Sequence, residues 1–196
     1  VVPDSILYLQ QLEYYDVFEV TERYELARYI TPYGNGLDLG AGWTWVFDVT
    51  DYRPLLSDSV HLSAGNWQEL LDLKFFMIEG VPSRDVLSVE NLWKGNYYLS
   101  TINSTLSDMT VQLNPAAEMY KLKTRASGHH WDNATNCAEF CYKIHGVDVD
   151  NTLIKSWQIM QACGMNPLYP QGGTWPIDRA GWCPGMEVTT QNIELT

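Results

Sequence analysis

The four cysteines constrain this chain most, because all of them lie in its last third, between residues 137 and 183. An even number of cysteines at loop-sized spacings is typical of disulfide-bonded proteins from oxidising compartments. In an extended CAEFC segment the Cα atoms of Cys137 and Cys141 would lie roughly 13 Å apart. A disulfide accepts only about 4.4–6.8 Å between them. If these two cysteines are bonded to each other, the segment must curl, and Glu139 lies on the curl.

Glu139 has two interpretations on these residues alone. A carboxylate on a covalently closed loop loses little further entropy when it is positioned, which suits a catalytic group. The alternative is an ordinary polar residue in a disulfide-linked surface turn, since four cysteines by themselves indicate only disulfide cross-links. The pattern leaves both interpretations open.

The charge balance limits the partners that this chain can bind. At 196 residues it carries a formal net charge of -12 and a pI near 4.5, and such a polyanion is a poor partner for nucleic acids or an anionic membrane surface. Neutral ligands such as sugars fit better. The aromatic content is 13%, with eight tryptophans, which suits stacking on pyranose rings and equally suits a β-sandwich core. We expect most of these rings in a core.

The chain contains no apolar run long enough to cross a membrane. Its first residues, VVPDSILYLQQL, carry Asp4 inside the apolar stretch, which is not typical of a signal peptide. We therefore expect a mature secreted or periplasmic protein whose export signal has been removed or lies outside this sequence, with no insertion into a membrane. A length of 196 residues allows one domain or two small ones.

Short alternating segments predict strands rather than long helices. Trp43, Trp45 and Phe47 alternate with smaller or polar residues, which indicates a strand with one aromatic face. Frequent Gly and Pro residues separate the segments and favour antiparallel all-β layers. Further predicted elements are a hairpin or successive strands at residues 6–22, a loop at 31–36, a short helical turn before Pro54 capped by Asp48 or Thr50, and strands at 60–63, 70–78, 108–113 and 119–125.

Several segments carry a family resemblance. NCAEFCYKIHGVDVD and PQGGTWPIDRAGWCPGM resemble the C-terminal signature of the peptide-N-glycosidase F family, bacterial amidases that remove asparagine-linked glycans. ERYELARYITPYG, WVFDVTDYRPLL and IEGVPSRDVLSV resemble the family's N-terminal domain, in the same order. The resemblance covers most of residues 22–186.

The fold that this resemblance implies is all-β, with two antiparallel jelly-roll β-sandwiches packed side by side and an active site in the cleft between them. We expect an N-terminal jelly-roll domain over residues 1–95 with an incomplete start. A C-terminal jelly-roll domain with two disulfides is expected over residues 96–196. It stops short of the family's final strands.

Two site residues follow from specific motifs of the resemblance. Glu139 stands where the family's loop carries its essential glutamate. Arg179, in DRAGWC, matches an arginine that lines the family's cleft, and its alternative is a structural salt bridge to Asp178 or another acid. His129, His130 and Trp131 stand where the family has a Trp-Gly-His cleft segment, so the resemblance implies that they bind substrate.

Two other family positions match less well. The best candidate for the primary catalytic aspartate is Asp4, in PDSILYL, and Asp16 in YYDVF is the alternative. Trp67 matches a family tryptophan that stands two residues after a second glutamate, so this glutamate is expected at position 65. Gly65 occupies that position, with Asn66 or Glu69 as possible substitutes nearby. Trp67 itself either stacks on a sugar or simply packs in the core.

The resemblance also implies the disulfide pairs Cys137 with Cys141 and Cys163 with Cys183, because other pairings would tie together loops that the family keeps separate. Cys137, Cys141 and His145 could imitate a zinc set, but disulfides agree better with the acidic, secreted-looking composition. Adjacent residues on a strand point to opposite faces, so neighbouring histidines do not easily share an ion. We predict no metal and no cofactor.

The function that the resemblance implies is hydrolysis of a linear amide: the bond between asparagine and the first N-acetylglucosamine of an N-linked glycan. Asp4 would activate water, while Glu139 and Arg179 would hold the first sugar and polarise the amide. The expected partner is an N-glycosylated protein or peptide, with no nucleic acid, and the expected state is a monomer. The rival interpretations are an inactive relative that binds glycans or glycoproteins and a structural secreted domain of a larger protein.

Overall fold

The computed structural model describes residues 20–65, 71–132 and 137–195. Within these ranges the chain forms eight short strands, three pieces of helix and long stretches of irregular backbone. The strands are β1 (Tyr120–Thr124), β2 (Trp131–Asp132), β3 (Cys137–Ala138), β4 (Ile144–Val149), β5 (Thr152–Gln158), β6 (Met160–Gln161), β7 (Arg179–Ala180) and β8 (Gln191–Leu195). The helical pieces are 3-10 helices at Thr50–Leu56 and Cys163–Met165 and one α-helical turn at Ile102–Thr105.

The strands pair two by two, and every ladder in the described ranges is antiparallel. β1 pairs with β8, β2 with β3, β4 with β5, and β6 with β7. The antiparallel all-β class predicted from the alternating segments is therefore confirmed. The packing of two jelly-roll sandwiches and the division near residue 95 stay predictions.

The β4–β5 hairpin forms because its turn residues accept a left-handed backbone. Asp150 and Asn151 have φ values of 49° and 61°, and consecutive left-handed residues make the tight turn that matches the twist of antiparallel strands. Asp and Asn are among the non-glycine residues that adopt this conformation most readily. The ladder shifts register between Val147 and Asp148, and His145 faces Trp157 across it.

Predictions in the first half of the chain were correct in part. The helical turn is confirmed as the 3-10 helix Thr50–Leu56, which includes Pro54. Its N-cap residue is Val49 and not Asp48 or Thr50, although Asp48 Oδ1 accepts a hydrogen bond from the Thr50 amide at 2.9 Å. The strand predicted at residues 119–125 is confirmed as β1. The strands predicted at 43–47, 60–63, 70–78 and 108–113 are wrong, because the described residues of these segments, which leave out only residue 70, form no ladder. The hairpin or strands predicted at 6–22 lie outside the described residues up to residue 19.

Residues 43–47 show why the strand prediction failed there. Trp45 and Phe47 are half-buried while Val46 between them is exposed, so the alternation correctly indicated the covered face for these residues. Trp43, predicted on the same face, is exposed. Trp45 stacks on Tyr29 with ring centroids 4.7 Å apart. A strand also needs a hydrogen-bonded neighbour, and an alternating sequence does not say whether a neighbour is within reach.

The segment that places the functional site is residues 28–33, which runs alongside residues 185–188. The Ile30 amide donates to the Met186 carbonyl at 2.9 Å, and the Gly185 amide donates to the Ile30 carbonyl at 2.8 Å. The Val188 amide donates to the Arg28 carbonyl at 2.9 Å. The small core lies beside this contact and consists of Ile30, Tyr52, Cys163, Leu168, Ala180, Cys183, Val188 and Ile193. None of the described helices is long and apolar enough to cross a membrane.

Candidate functional site

Arg179 forms the centre of the candidate site. It lies in β7, opposite Gln161 of β6, and its side chain is completely buried. Its Nη1 donates to the Tyr33 hydroxyl at 2.9 Å, and its Nη2 donates to the carbonyl and hydroxyl oxygens of Thr174 at 2.9 and 2.7 Å. A buried guanidinium is tolerated only when partners replace its lost hydration, and this network supplies them for the two terminal nitrogens.

Glu139 is held beside Arg179 by its own backbone. The Ala180 amide donates to the Glu139 carbonyl at 2.7 Å, and the Glu139 amide donates to the His130 carbonyl at 3.4 Å. Its carboxylate Oε2 lies 3.8 Å from Arg179 Nη1, and its side chain is 15% exposed. The two groups therefore attract each other as an ion pair, but at a distance too long for a hydrogen bond. The salt bridge considered for Arg179 does form, and its acid is Glu139.

Two aromatic rings enclose the guanidinium of Arg179. Its central carbon lies 5.4 Å from the ring centroid of Tyr33 and 5.1 Å from that of Phe140, within the range of cation–π attraction. Sequence reasoning missed both rings as site residues. Their signal was present, since Tyr33 belongs to the TPYG segment and Phe140 to the CAEFC segment.

One donor of Arg179 remains unsatisfied. Its Nε is buried and has no hydrogen-bond partner in the described residues. Leaving such a group unpaired costs about 1–3 kcal/mol. Costs of this kind are often retained at functional sites.

The predicted histidines lie on the neighbouring segment. His129 Nε2 lies 2.8 Å from Ser127 Oγ, and its ring centroid lies 3.9 Å from that of Trp182. Burial, and then the nearby positive charge of Arg28, lower the pKa of His129 below its usual 6.5, so the imidazole is neutral at pH 7. His130 has a φ of 76° and contributes its carbonyl to Glu139.

Gly181 allows the site segments to approach each other. It has a φ of 65°, and a Cβ added there would lie 2.6 Å from the Ala126 carbonyl oxygen. Next to it, the Gly128 amide donates to the Ala180 carbonyl at 2.7 Å. Only glycine fits here without moving the backbone, so this position keeps the histidine segment against β7.

The predicted Cys163–Cys183 disulfide is confirmed, with a Cα–Cα distance of 5.0 Å. Arg179 lies inside the loop that it closes. Cys141 is disulfide-bonded as well, and its pairing with Cys137 stays a prediction, because the side chain of Cys137 lies outside the described atoms. Among the described residues, no group of three or more His, Cys, Asp or Glu side chains is arranged to hold a metal ion.

Several predicted site residues lie outside the described residues. These are Asp4, Asp16, Asn66, Trp67 and Glu69, together with the side chain of Trp131. The structure thus brings together Glu139, Arg179 and the backbone of His130, with His129 close by. Their roles in binding or catalysis stay predictions.

The described part of the site combines one carboxylate, one buried guanidinium and aromatic surfaces. A carboxylate held out of hydrogen-bond contact with its cation still has lone pairs for the hydroxyl or amide donors of a neutral ligand. The adjacent guanidinium can polarise a carbonyl oxygen. This combination suits recognition of a polar, uncharged group.

Comparisons with known proteins point to one family. A family model described as peptide-N-glycosidase F, C terminal, matches residues 96–196. Peptide-N(4)-(N-acetyl-beta-D-glucosaminyl)asparagine amidase F from Elizabethkingia miricola is 32% identical over an alignment 193 residues long, which covers 87% of this chain and 53% of the relative. The chain therefore spans about half the length of this curated relative.

Two solved structures resemble parts of this chain. One is a crystal structure of a peptide-N(4)-(N-acetyl-beta-D-glucosaminyl)asparagine amidase, with a TM-score of 0.31. Another is PNGase F from Flavobacterium meningosepticum, described as a glycosylasparaginase, with a TM-score of 0.30. Both are 32% identical and cover 40% of this chain and 26% of the other. The sequence match, and not the superposition, carries the family assignment.

Proposed function

Because the chain belongs to the peptide-N-glycosidase F family, we propose that it takes part in hydrolysis of the amide between asparagine and the first N-acetylglucosamine of N-linked glycans. The named relative is an asparagine amidase. The substrate would be a glycoprotein or glycopeptide. We further propose that the protein acts as a monomer in a secreted or periplasmic setting.

The observation that carries the proposal is the Glu139–Arg179 pair. The two residues come from separate signature segments, CAEFC and DRAGWC, and their charged groups lie 3.8 Å apart. Glu139 is partly exposed while Arg179 is buried. A buried cation behind a partly exposed carboxylate supports a role in holding a polar ligand at the carboxylate.

In the proposed reaction, water adds to the side-chain carbonyl carbon of the glycosylated asparagine. The bond between that carbon and the amide nitrogen then breaks, and the nitrogen takes a proton to leave as a glycosylamine, while asparagine becomes aspartate. Water is a weak nucleophile, so a base is needed; Asp4 is the proposed base. Glu139 would accept a hydrogen bond from the first sugar, and Arg179 would stabilise negative charge that develops on the carbonyl oxygen.

Replacing Glu139 by glutamine tests this proposal. Glu139→Gln keeps the shape but removes the charge, so release of glycan from a denatured N-glycoprotein should fall by roughly two to four orders of magnitude. The conversion of asparagine to aspartate, followed by mass spectrometry, measures it. Glu118→Gln is the control, because Glu118 is exposed and outside the site, and it should leave release unchanged. Equal release by wild type and Glu139→Gln would contradict the assigned role.

A second candidate function is glycan binding without turnover. It is favoured by Gly65, which stands where the family resemblance places a second glutamate. In that case wild type would release no glycan but would bind it, and Glu139→Gln would weaken binding by about 1–3 kcal/mol, the contribution of one charged hydrogen bond. Calorimetric titration with a released N-glycan distinguishes this outcome from hydrolysis.

A further inference from the structure

The loop of residues 31–36 is attached directly to the segment that precedes Arg179. The Tyr33 amide donates to Gln171 Oε1 at 2.8 Å, and the Gly172 amide donates to the Tyr33 carbonyl at 3.4 Å. A Cβ on Gly172 would lie 2.8 Å from the Cβ of Asn35, so the two segments approach closely. Gln171 is itself buried. The backbone of Tyr33 is therefore fixed, and its side chain has a defined direction.

Tyr33 contacts Arg179 in two ways. Its hydroxyl accepts the hydrogen bond from Nη1 at 2.9 Å, and its ring lies 5.4 Å from the guanidinium carbon. On the other side of the guanidinium, Thr174 accepts both bonds from Nη2. Because both terminal nitrogens donate hydrogen bonds to these partners, a shift of the guanidinium toward Glu139 would lengthen or bend those bonds.

This restraint explains the geometry of the ion pair. Arg179 Nη1 and Glu139 Oε2 are 3.8 Å apart, whereas an unrestrained arginine and carboxylate close to about 2.7–2.9 Å and form charge-assisted hydrogen bonds. A carboxylate engaged in this way would have fewer lone pairs for a ligand. The separation therefore leaves the oxygens of the Glu139 carboxylate available to a ligand.

We propose that Tyr33 is a positioning residue of the Glu139–Arg179 pair: its hydroxyl holds the guanidinium out of hydrogen-bond reach of Glu139 and so leaves the carboxylate free for the ligand. As a statement about substrate affinity, this inference rests on the proposed function. As a statement about the geometry of the pair, it does not. Tyr33 lies outside the two cysteine-containing signature segments and acts on them from the first half of the chain.

Tyr33→Phe is the appropriate variant, because it removes the hydroxyl and keeps the ring that faces Arg179. In a crystal structure of this variant, Arg179 Nη1 should move to within about 3 Å of Glu139 Oε2. A wild-type crystal structure provides the reference distance. An unchanged separation in the variant would overturn the inference, whether or not the protein hydrolyses anything.

Kinetics with a glycopeptide test the effect on the ligand. Because the variant would lose a ground-state contact, KM should rise about 10-fold, the scale of one hydrogen bond to a charged group, while kcat changes little. A merely structural role would lower the amount of active protein, and therefore kcat, without moving KM. Tyr142→Phe is the matched control, since it removes an exposed hydroxyl next to Cys141 and should change neither constant.

The outcomes separate the two proposals. If wild type releases no glycan, the proposed hydrolysis fails, and the Nη1–Oε2 distance in the Tyr33→Phe crystal still decides the role of Tyr33. If wild type is active and Tyr33→Phe has an unchanged KM, the claim about the ligand is overturned while hydrolysis stands.

Discussion

A single side chain, Arg179, shows how burial and charge are reconciled in this chain. The guanidinium has no exposed surface and is surrounded by hydroxyl and carbonyl oxygens, two rings and one carboxylate. Breaking a buried ion pair by removing one partner usually costs more than the pair contributes. Substitutions at Arg179 are therefore expected to disturb both stability and ligand binding, which is why Glu139 and Tyr33 are the cleaner positions to change.

A histidine on the β4–β5 hairpin gives a prediction about pH. His145 faces Trp157 across the β4–β5 hairpin, and burial lowers its pKa below the usual 6.5. The folded state therefore binds this proton less tightly than the unfolded chain does. The contribution of neutral His145 to the free energy of unfolding is complete above about pH 6.5 and is lost as the pH falls through the pKa of His145 in the folded state. His145→Gln should lose less stability than wild type between pH 7.5 and 5.5. Urea unfolding at several pH values measures it, and parallel curves for the two proteins would contradict it.

Sequence reasoning found some site residues and missed others for a physical reason. Glu139 and Arg179 were predicted because each lies in a short, specific segment. Tyr33 was missed as a partner because its contact with Arg179 spans 146 positions of the chain, and nothing in the local pattern of TPYG indicates which distant group its hydroxyl meets. The orphaned Arg179 Nε is likewise a property of packing and not of any motif.

At the scale of elements, salt bridges connect the first 3-10 helix to β1. Lys121 and Lys123 are two positions apart on β1, so they lie on the same face, and both donate to Asp51 Oδ2 at 2.8 Å. Burial raises the pKa of Asp51, but the hydrogen bonds and charges of the two lysines outweigh it and hold that pKa below the usual 3.8. Lys123 also lies 5.2 Å from the ring centroid of Tyr52.

Removing the Asp51 carboxylate should lower the free energy of unfolding. Asp51→Asn leaves two partly buried ammonium groups facing each other and is expected to cost about 1–2 kcal/mol, between the values typical of exposed and of buried ion pairs. The carboxylate contributes its stability above about pH 3.8, and this is lost as the pH falls through the folded pKa. The cost measured by urea unfolding should therefore shrink at pH 3. Asp85→Asn, which breaks an exposed pair with Arg53, should change little, and an equal effect of both variants would contradict the prediction.

The same element shows what patterns can and cannot predict. The prediction of β1 was confirmed because this segment pairs with β8. The aromatic run at 43–47 alternates as clearly, but it packs by stacking Trp45 on Tyr29 and forms no ladder. Alternation reports the covered face, whereas pairing depends on segments far away in sequence.

At the scale of the whole molecule, Arg125 joins distant parts of the chain. It donates to the carbonyls of Glu25 and Leu26 at 2.7 Å each, to the Tyr52 hydroxyl at 3.2 Å and to Thr190 Oγ1 at 2.6 Å. Its side chain is only 9% exposed. Together with the contacts of residues 28–33, it ties the early part of the chain to the C-terminal strands.

The Cys163–Cys183 disulfide provides the second long connection. It spans a sequence separation of 20, and in the chain-entropy model a loop of this size stabilises by roughly 3 kcal/mol. The double variant Cys163→Ala/Cys183→Ala should therefore lower the free energy of unfolding by about that amount and lower the melting temperature. Chemical denaturation under non-reducing conditions measures it, because the remaining cysteines stay oxidised. An unchanged midpoint would contradict the prediction.

The backbone bonds of Glu139 also determine how long its side chain must be. Its carbonyl accepts from the Ala180 amide and its amide donates to the His130 carbonyl, so the main chain at this residue cannot advance toward a ligand without breaking one of these hydrogen bonds. A shorter acid at position 139 would carry the same charge on a stem reduced by one methylene, and the fixed backbone would leave that gap open. Reach, as much as charge, is thus a built-in requirement of this position.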